Sequence, residues 1–347
     1  MHTLNSKLSG SSQSRSLVSY LCAVTFVIVA VVGGVNALVD PLGEWFGALP
    51  PLTKTTRQVR VEQIEAYEPI KTIVLGSSRS MQISSAHLGD PGASGFYNAS
   101  VYSGMANDYV ATVRYVLSHP KHKTLERVVI GVEVCSFHGS REIDDRLARN
   151  ESLSTHLQKQ RLEQLAWGWK RFEKLFSYET FKLSKRSITY ALTEYPEPPE
   201  VYLDDGTIDY VAWDEQLARG EYDLKSAVDK SITEYKLRHS GFDHIGVGHK
   251  ASLIELAKLL KERDIELIVF TTPIHPRVEK VLRDRTAYSQ TSEELVAFLA
   301  EASKEHEFKF VDTFELATFG GEAELFYDGV HVRPENLERL VKFVMER

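Results

Sequence analysis

The sequence predicts an α/β protein in which a parallel sheet is covered by helices on both faces. Apolar, β-branched runs without polar alternation, such as residues 127–134, are typical of strands buried inside a parallel sheet. These runs alternate along the chain with segments whose apolar residues recur at helical spacing. Strands that alternate with helices imply right-handed crossovers and a three-layer α/β/α architecture. A single charge-free apolar segment precedes this pattern.

The alternation assigns the main elements in order. We predict strands at residues 71–75, 127–134, 265–273 and 308–313, and helices at 105–117, 253–260, 293–304 and 336–345. The sheet domain is thus expected to span 65–347.

A long charged stretch, residues 138–249, interrupts this rhythm. We interpret it as a mostly helical insertion into the sheet domain and not as a separate fold. Asp205 and Gly206 predict a hairpin within it. An aromatic stripe of helical spacing predicts a core or docking face, and it consists of Trp167, Trp169, Phe172 and Phe176.

Residues 17–39 contain no charged side chain and are long enough to span a bilayer. Lys7 and Arg15 precede the apolar segment, and acidic residues follow it. By the positive-inside tendency, residues 1–16 would lie in the cytoplasm and the rest of the chain outside, at a cell (inner) membrane. The alternative is a cleaved signal peptide with a site near 35–37, which we consider less well supported because the apolar stretch exceeds the usual signal core.

Residues 40–64, rich in Pro and Gly up to about Thr56, are expected to form an extended neck between the membrane and the domain.

Charge and cysteine content exclude several classes of function. The chain has a net charge of −7, and its first 39 residues hold no acid, so the part after them is more acidic still. Nucleic acid is therefore not an expected partner. Cys22 and Cys135 lie in different parts of the protein, so we expect no disulfide. The histidines show no metal-ligand spacing and the glycines no nucleotide fingerprint, so we expect neither a metal nor a cofactor.

The first predicted strand ends in "GSSRS", where Ser78 is followed by Arg79. Ligands of doubly wound sheets bind at the carboxyl ends of strands. A serine at such a turn is exposed, and the backbone N–H groups beside it point to where an oxyanion would form. Ser78 is therefore a candidate nucleophile, although a serine in a turn is in itself common.

A base for this serine is available in "FYDGVHVRPENLERL". Asp328 and His331 are three residues apart just before the last helix, so the carboxylate can orient the imidazole. The alternative is that Asp328 is only a turn residue that caps the helix, which is the more common role of a turn acid. The two segments together favour catalysis, because both would reach the same edge of a doubly wound sheet.

At this point the sequence resembles the SGNH (GDSL-like) hydrolases. The segment from Gly76 to Ser78, the segment "YNASVYSG" from Asn98 to Gly104, and Asp328 with His331 resemble that family's first, second and fifth sequence blocks. The resemblance implies a flavodoxin-like three-layer fold with Ser78 as nucleophile, His331 as general base and acid, and Asp328 as the residue that orients it.

More narrowly, "GSSR" after an amino-terminal anchor and a "VDP" neck is similar to membrane-anchored members that act in cell-envelope acylation, such as the D-alanine transfer protein of lipoteichoic acid and the alginate acetylation proteins. It implies a serine O-acyltransferase or esterase that acts on an envelope glycan or glycopolymer through an acyl-serine. A multipass membrane acyltransferase is the partner that the resemblance implies.

The third block departs from the family, because Glu133 stands near the place of its oxyanion-donating Asn. Stabilisation of an oxyanion is then expected from the backbone N–H groups of Ser78 and Gly104. Glu133 is expected to pair with Arg79 and so fix the serine loop. The rival hypothesis is a catalytically inactive binding or assembly protein of the same fold.

Overall fold

The computed structural model describes residues 6–45, 47–49, 55–140, 143–157, 169, 172–193 and 201–347, and it contains a five-stranded parallel sheet. The strands of the protein are β1 Thr72–Gly76, β2 Phe96–Asn98, β3 Arg127–Val132, β4 Val201–Tyr202, β5 Ile208–Asp209, β6 Glu266–Thr271 and β7 Lys309–Val311. The large sheet has the order β2-β1-β3-β6-β7, and β4 pairs with β5 in a separate antiparallel hairpin. This is the doubly wound order in which the winding reverses between β1 and β3.

Thirteen helices are described over these ranges. They are α1 Ser6–Val39, α2 Thr56–Ala66, α3 Ala106–Ser118, α4 Asp145–Ala148, α5 Glu151–Ser154, α6 Tyr178–Leu192, α7 Val211–Ala218, α8 Leu224–Arg238, α9 Val247–Lys261, α10 Pro276–Arg285, α11 Tyr288–His306, α12 Leu316–Phe319 and α13 Pro334–Glu346.

The sheet is buried by helices because its strands are apolar on both faces. The inner face of α13, Leu337, Leu340, Val341 and Val344, packs in one cluster with Val74, Val129 and Ile268 of three adjacent strands. Helix α9 packs against both α3 and α11 elsewhere in the domain, and α9 and α11 contact β6 and β7 respectively. The arrangement is compatible with a three-layer α/β/α fold.

The predicted strands and helices of the sheet domain are all present, with ends shifted by a few residues. The hairpin predicted at Asp205 and Gly206 is confirmed as β4 and β5. Sequence reasoning assigned neither β2, which has three residues, nor α10, whose composition is strongly charged.

The chain divides into two compact units. The first contains residues 1–55 and 160–197, and in it α1 packs against α6. The second contains residues 56–159 and 198–347 and holds the sheet. The predicted insertion, 138–249, is therefore divided between the two units. Residues 138–159 and 198–249 belong to the sheet unit, and residues 160–197 belong to the unit that contains α1. The helical periodicity predicted for 154–176 falls largely outside the described residues.

The neck predicted for 40–64 needs correction at its carboxyl end. Helix α2 begins at Thr56 and belongs to the sheet unit. Arg57 and Arg60 of α2 are fully buried there. Their partners, described below, lie far along the chain, so a local reading of composition could not assign them.

Helix α1 is apolar enough to cross a membrane over residues Arg15–Val39, and its most apolar 18-residue window has a mean hydropathy of 2.4. By length and composition it supports the predicted anchor.

Candidate active site

The candidate nucleophile lies where β1 ends at the reversal point of the sheet. The strand stops at Gly76, and Ser78–Ser80 form one 3₁₀ turn. Ser77 caps this turn, because its Oγ accepts a hydrogen bond from the Arg79 N–H at 3.3 Å. Ser77 is buried, whereas Ser78 is partly exposed. The turn therefore presents the second serine of the pair and buries the first.

Three side chains form a continuous hydrogen-bonded chain at this edge. Ser78 Oγ lies 2.8 Å from His331 Nε2, and His331 Nδ1 lies 2.9 Å from Asp328 Oδ2. An ionised carboxylate only accepts hydrogen bonds, so the proton of a neutral His331 stays on Nδ1. Nε2 is then free to accept the hydroxyl proton of Ser78. The structure thus brings together the three residues that the sequence suggested, across 253 positions of chain.

The turn that carries Asp328 and His331 is closed by its own backbone. The Tyr327 N–H donates to the His331 carbonyl at 2.8 Å. Asp328 Oδ1 accepts the N–H groups of Val330 at 2.7 Å and His331 at 2.8 Å. Although burial opposes ionisation, the imidazole of His331 and these hydrogen bonds lower the pKa of Asp328 to about 2. Asp328 is therefore ionised at neutral pH, as an orienting carboxylate must be.

Arg79 and Glu133 form the ion pair that the sequence predicted. Arg79 Nη2 lies 2.7 Å from Glu133 Oε2, and both side chains are about nine-tenths buried or more. Although burial opposes its charge, Glu133 raises the pKa of Arg79. The guanidinium also lies over the ring of Tyr235, 5.3 Å from its centroid. The pair ties the serine turn to the end of β3, and Glu133 is not placed as a hydrogen-bond donor.

Asn98 stabilises the turn at Ser78–Ser80, here called the serine turn, through side-chain hydrogen bonds. Its side chain is fully buried and donates to the carbonyls of Ser80 at 2.8 Å and Ile83 at 2.9 Å. Its Oδ1 accepts from the Ser100 N–H at 3.0 Å. Both amide hydrogens are thus used, so Asn98 holds two loops together and does not point a donor at a substrate.

The role predicted for Gly104 as an oxyanion donor is wrong in this structure. Its N–H donates to the Val101 carbonyl at 3.0 Å within a tight turn, and its carbonyl accepts from Ser136 Oγ at 2.8 Å. A glycine is required there for space, because a Cβ at this position would overlap the carbonyl oxygen of Gly76. Among the residues that the structure describes, none accepts a hydrogen bond from the Ser78 N–H, which leaves that group available to an oxyanion.

Replacing Gly104 by alanine should therefore lower the free energy of unfolding by about 2 to 3 kcal/mol, because the overlap is with backbone that cannot rotate away. Denaturant unfolding measures the effect. Gly248 in α9 is the matched control, since a Cβ there meets nothing within 4 Å. Gly248→Ala should be neutral or slightly stabilising. Equal stabilities of the two variants would contradict the close approach at Gly104.

The insertion adds aromatic side chains to the site that sequence reasoning missed. The rings of Tyr210 and Trp213 lie 5.8 Å and 5.6 Å from the His331 ring, centroid to centroid. Trp213 stacks on Tyr327 at 5.0 Å and remains partly exposed. The Tyr210 hydroxyl donates to the Ser78 carbonyl at 3.3 Å. The only sequence signal was their position directly after the predicted hairpin.

Helix α2 stabilises the loop at residues 100–104 through side-chain hydrogen bonds. Arg57 donates twice to Asp108, at 2.6 Å and 2.8 Å, and Arg60 Nε donates to the Ser100 carbonyl at 3.0 Å. The Thr56 hydroxyl oxygen accepts the Tyr102 N–H at 3.1 Å. These contacts hold the turn that ends at Gly104. Ser103 in this turn has a left-handed backbone (φ +52°), a conformation that a non-glycine residue keeps only where the surrounding contacts fix it.

Within the ranges given above, no group of three or more His, Cys, Asp and Glu side chains is placed to hold a metal ion.

No protein-family model matches the sequence, and no curated protein matches it. The assignment of a function therefore depends on the sheet, the serine turn and the geometry around it.

Proposed function

We propose that this protein is a membrane-anchored serine esterase or O-acyltransferase of the SGNH type. The observation that carries the proposal is the hydrogen-bonded chain from Ser78 through His331 to Asp328 at the carboxyl edge of a doubly wound sheet. Such a constellation activates a serine hydroxyl for acyl transfer on several unrelated folds.

The reaction would proceed in two steps. Ser78 Oγ attacks the carbonyl carbon of an acyl ester while His331 Nε2 accepts the hydroxyl proton. The Ser78 N–H stabilises the oxyanion, and the protonated His331 returns its proton to the leaving alcohol. Water or a sugar hydroxyl then attacks the acyl-serine, with His331 taking its proton and passing it back to Ser78 Oγ. Asp328 holds the imidazole in the required tautomer throughout.

The location and substrate class follow from the anchor and from the resemblance. An apolar amino-terminal segment, residues 17–39, preceded by Lys7 and Arg15 favours an extracytoplasmic domain at the cell membrane. Envelope glycans or glycopolymers are the acyl carriers found there. The partly exposed Trp213 beside His331 is an aromatic side chain that a bound sugar would contact. A multipass membrane acyltransferase that supplies the acyl group is the partner we propose.

A second candidate function has its own observation. The Gly104 N–H is engaged within its turn and Glu133 is paired with Arg79, so two positions that would supply oxyanion donors in the family do not do so. A protein that keeps the fold but binds an envelope polysaccharide without turnover fits these facts.

A fluorophosphonate probe separates the two functions. The full-length protein in detergent should form a Ser78 Oγ–phosphorus bond with loss of fluoride, located by mass spectrometry of the labelled peptide. The probe needs only an activated nucleophile, so a strict transferase should react as well as an esterase. Absence of labelling at Ser78 in protein that unfolds cooperatively would favour the binding function.

A further inference from the structure

The described residues of the aromatic stripe noted in the sequence, Trp169, Phe172 and Phe176, belong to the unit that contains α1. Helix α6 lies against α1 through a face of small polar residues, Thr180, Ser184 and Ser187, which are buried. Ser184 Oγ donates to Asn36 Oδ1 at 2.8 Å, and Asn36 Nδ2 donates to the Leu175 carbonyl at 2.7 Å. Small and hydroxyl-bearing residues of this kind are typical of helix contacts in membranes.

A second contact fixes the residues just before α6. The ring of Phe176 covers Gly33 so closely that a Cβ on Gly33 would lie 2.5 Å from ring atom Cε1. Asn36, a polar residue in this apolar helix, is only 1% exposed. Its side chain forms its hydrogen bonds with Leu175, Ser177 and Ser184. The segment 172–192, here called the juxtamembrane segment, is thus seated on the last turns of α1.

The length of α1 sets the depth of this contact. Its apolar stretch, Arg15–Val39, has 25 residues. At 1.5 Å per residue it is roughly 37 Å long, whereas the hydrocarbon core of a bilayer is about 30 Å thick. Gly33 and Asn36 lie within two turns of its carboxyl end. Whatever packs on them lies near the level of the lipid headgroups.

The surface of the juxtamembrane segment has the composition of a membrane interface. Large apolar side chains are exposed on and beside it: Tyr178 (67%), Leu192 (82%), Ile188, Phe172 and Trp169. Cationic side chains lie among them: Lys174, Lys182, Lys185 and Arg186. The Lys182 ammonium lies 5.1 Å from the centre of the Tyr178 ring. Aromatic rings with Lys and Arg side chains are enriched at headgroup level.

We propose that residues 172–192 lie in the headgroup region of the bilayer beside the carboxyl end of α1, with the lipid surface covering their exposed aromatic and aliphatic side chains. The proposal uses the membrane anchor of the proposed function and is independent of the catalytic part. The segment would give the protein a second membrane contact, one that also satisfies Asn36.

Nitroxide depth measurement on the full-length protein tests this. The protein carries Cys22→Ala and Cys135→Ser, is reconstituted into phosphatidylcholine–phosphatidylglycerol vesicles without any other protein, and is spin-labelled at Tyr178→Cys or Leu192→Cys. Collision rates with oxygen, which concentrates in lipid, and with a water-soluble nickel chelate report the depth. The oxygen-to-nickel ratio at both positions should be roughly threefold or more above that of the controls, because interfacial side chains are shielded from water.

Two kinds of control make the outcome unambiguous. Leu237→Cys and Val247→Cys carry the label at exposed apolar positions of the sheet unit (77% and 78% exposed). Phe26→Cys carries it in the middle of α1. A deep label at position 26 with water-exposed labels at 178 and 192 would overturn the proposal while leaving the anchor intact. A water-exposed label at 26 would overturn the anchor and the proposal together.

Discussion

Replacing Ser78 by alanine should abolish ester hydrolysis, with a fall in kcat of about 10⁵-fold. The Ser78 hydroxyl is the group that lies 2.8 Å from His331 Nε2, so its removal leaves the imidazole with no nucleophile to activate. Removal of a triad serine commonly leaves only the residual rate that comes from binding and oxyanion stabilisation. Hydrolysis of an activated acetyl ester by the purified full-length protein measures the effect.

The neighbouring Ser77 provides the matched control. Its Oγ caps the 3₁₀ turn, and its side chain is buried. Ser77→Ala should cost about 1 kcal/mol of stability, as loss of a helix cap does, while keeping the rate within about tenfold of wild type. If Ser78→Ala retained wild-type hydrolysis, or if Ser77→Ala lost as much, Ser78 would not be the nucleophile.

Much of the sheet and of the triad could be read from the sequence because their signals are local. Strands buried on both faces are apolar throughout, so 127–134 and 265–273 stand out against the charged segments beside them. Topology then brings the ends of distant strands to one edge, and Ser78 meets His331 there without any signal in the residues between them.

The parts that could not be predicted depend on contacts between distant segments. An arginine such as Arg57 is expected on the surface, and it is buried here because Asp108, 51 positions away, neutralises it. The wrong expectation for Gly104 has a similar cause. A glycine near a serine turn suggests a backbone donor, but the turn from Val101 uses that N–H, and the close approach of Gly76 is what requires the glycine.

The division of the insertion between two units could not be predicted from the sequence either. Its charge pattern is continuous along 138–249, yet Trp213 lies beside His331 while Ser184 bonds to Asn36 of the amino-terminal helix. A single inserted segment thus serves two units. Sequence periodicity reports which side of a helix is apolar, and it does not report which surface that side will meet.

Replacing Asp328 by asparagine should lower kcat by about 10³- to 10⁴-fold with little loss of structure. Asparagine keeps an oxygen at Oδ1 to accept the N–H groups of Val330 and His331, at 2.7 Å and 2.8 Å in the wild type. At the other position an amide that donates replaces the oxygen that accepts the His331 Nδ1 proton. The imidazole then favours the tautomer with its proton on Nε2, which cannot accept the Ser78 proton. Initial-rate kinetics on an activated ester measures the loss.

The free energy of unfolding, measured as a function of pH, shows whether the Asp328 carboxylate is ionised in the folded protein. The pKa of Asp328 is lowered from 3.8 to about 2 in the folded protein, so its ionisation stabilises the fold above pH 4, and this contribution is lost as the pH falls through 2. A shift of that size corresponds to roughly 2 kcal/mol. Asp328→Asn should therefore be less stable than wild type by about that amount just above pH 4, and the difference should shrink as the pH falls from 4 to 2. A variant with a wild-type rate, or a stability difference that does not change with pH, would mean that Asp328 does not act as a charged partner of His331.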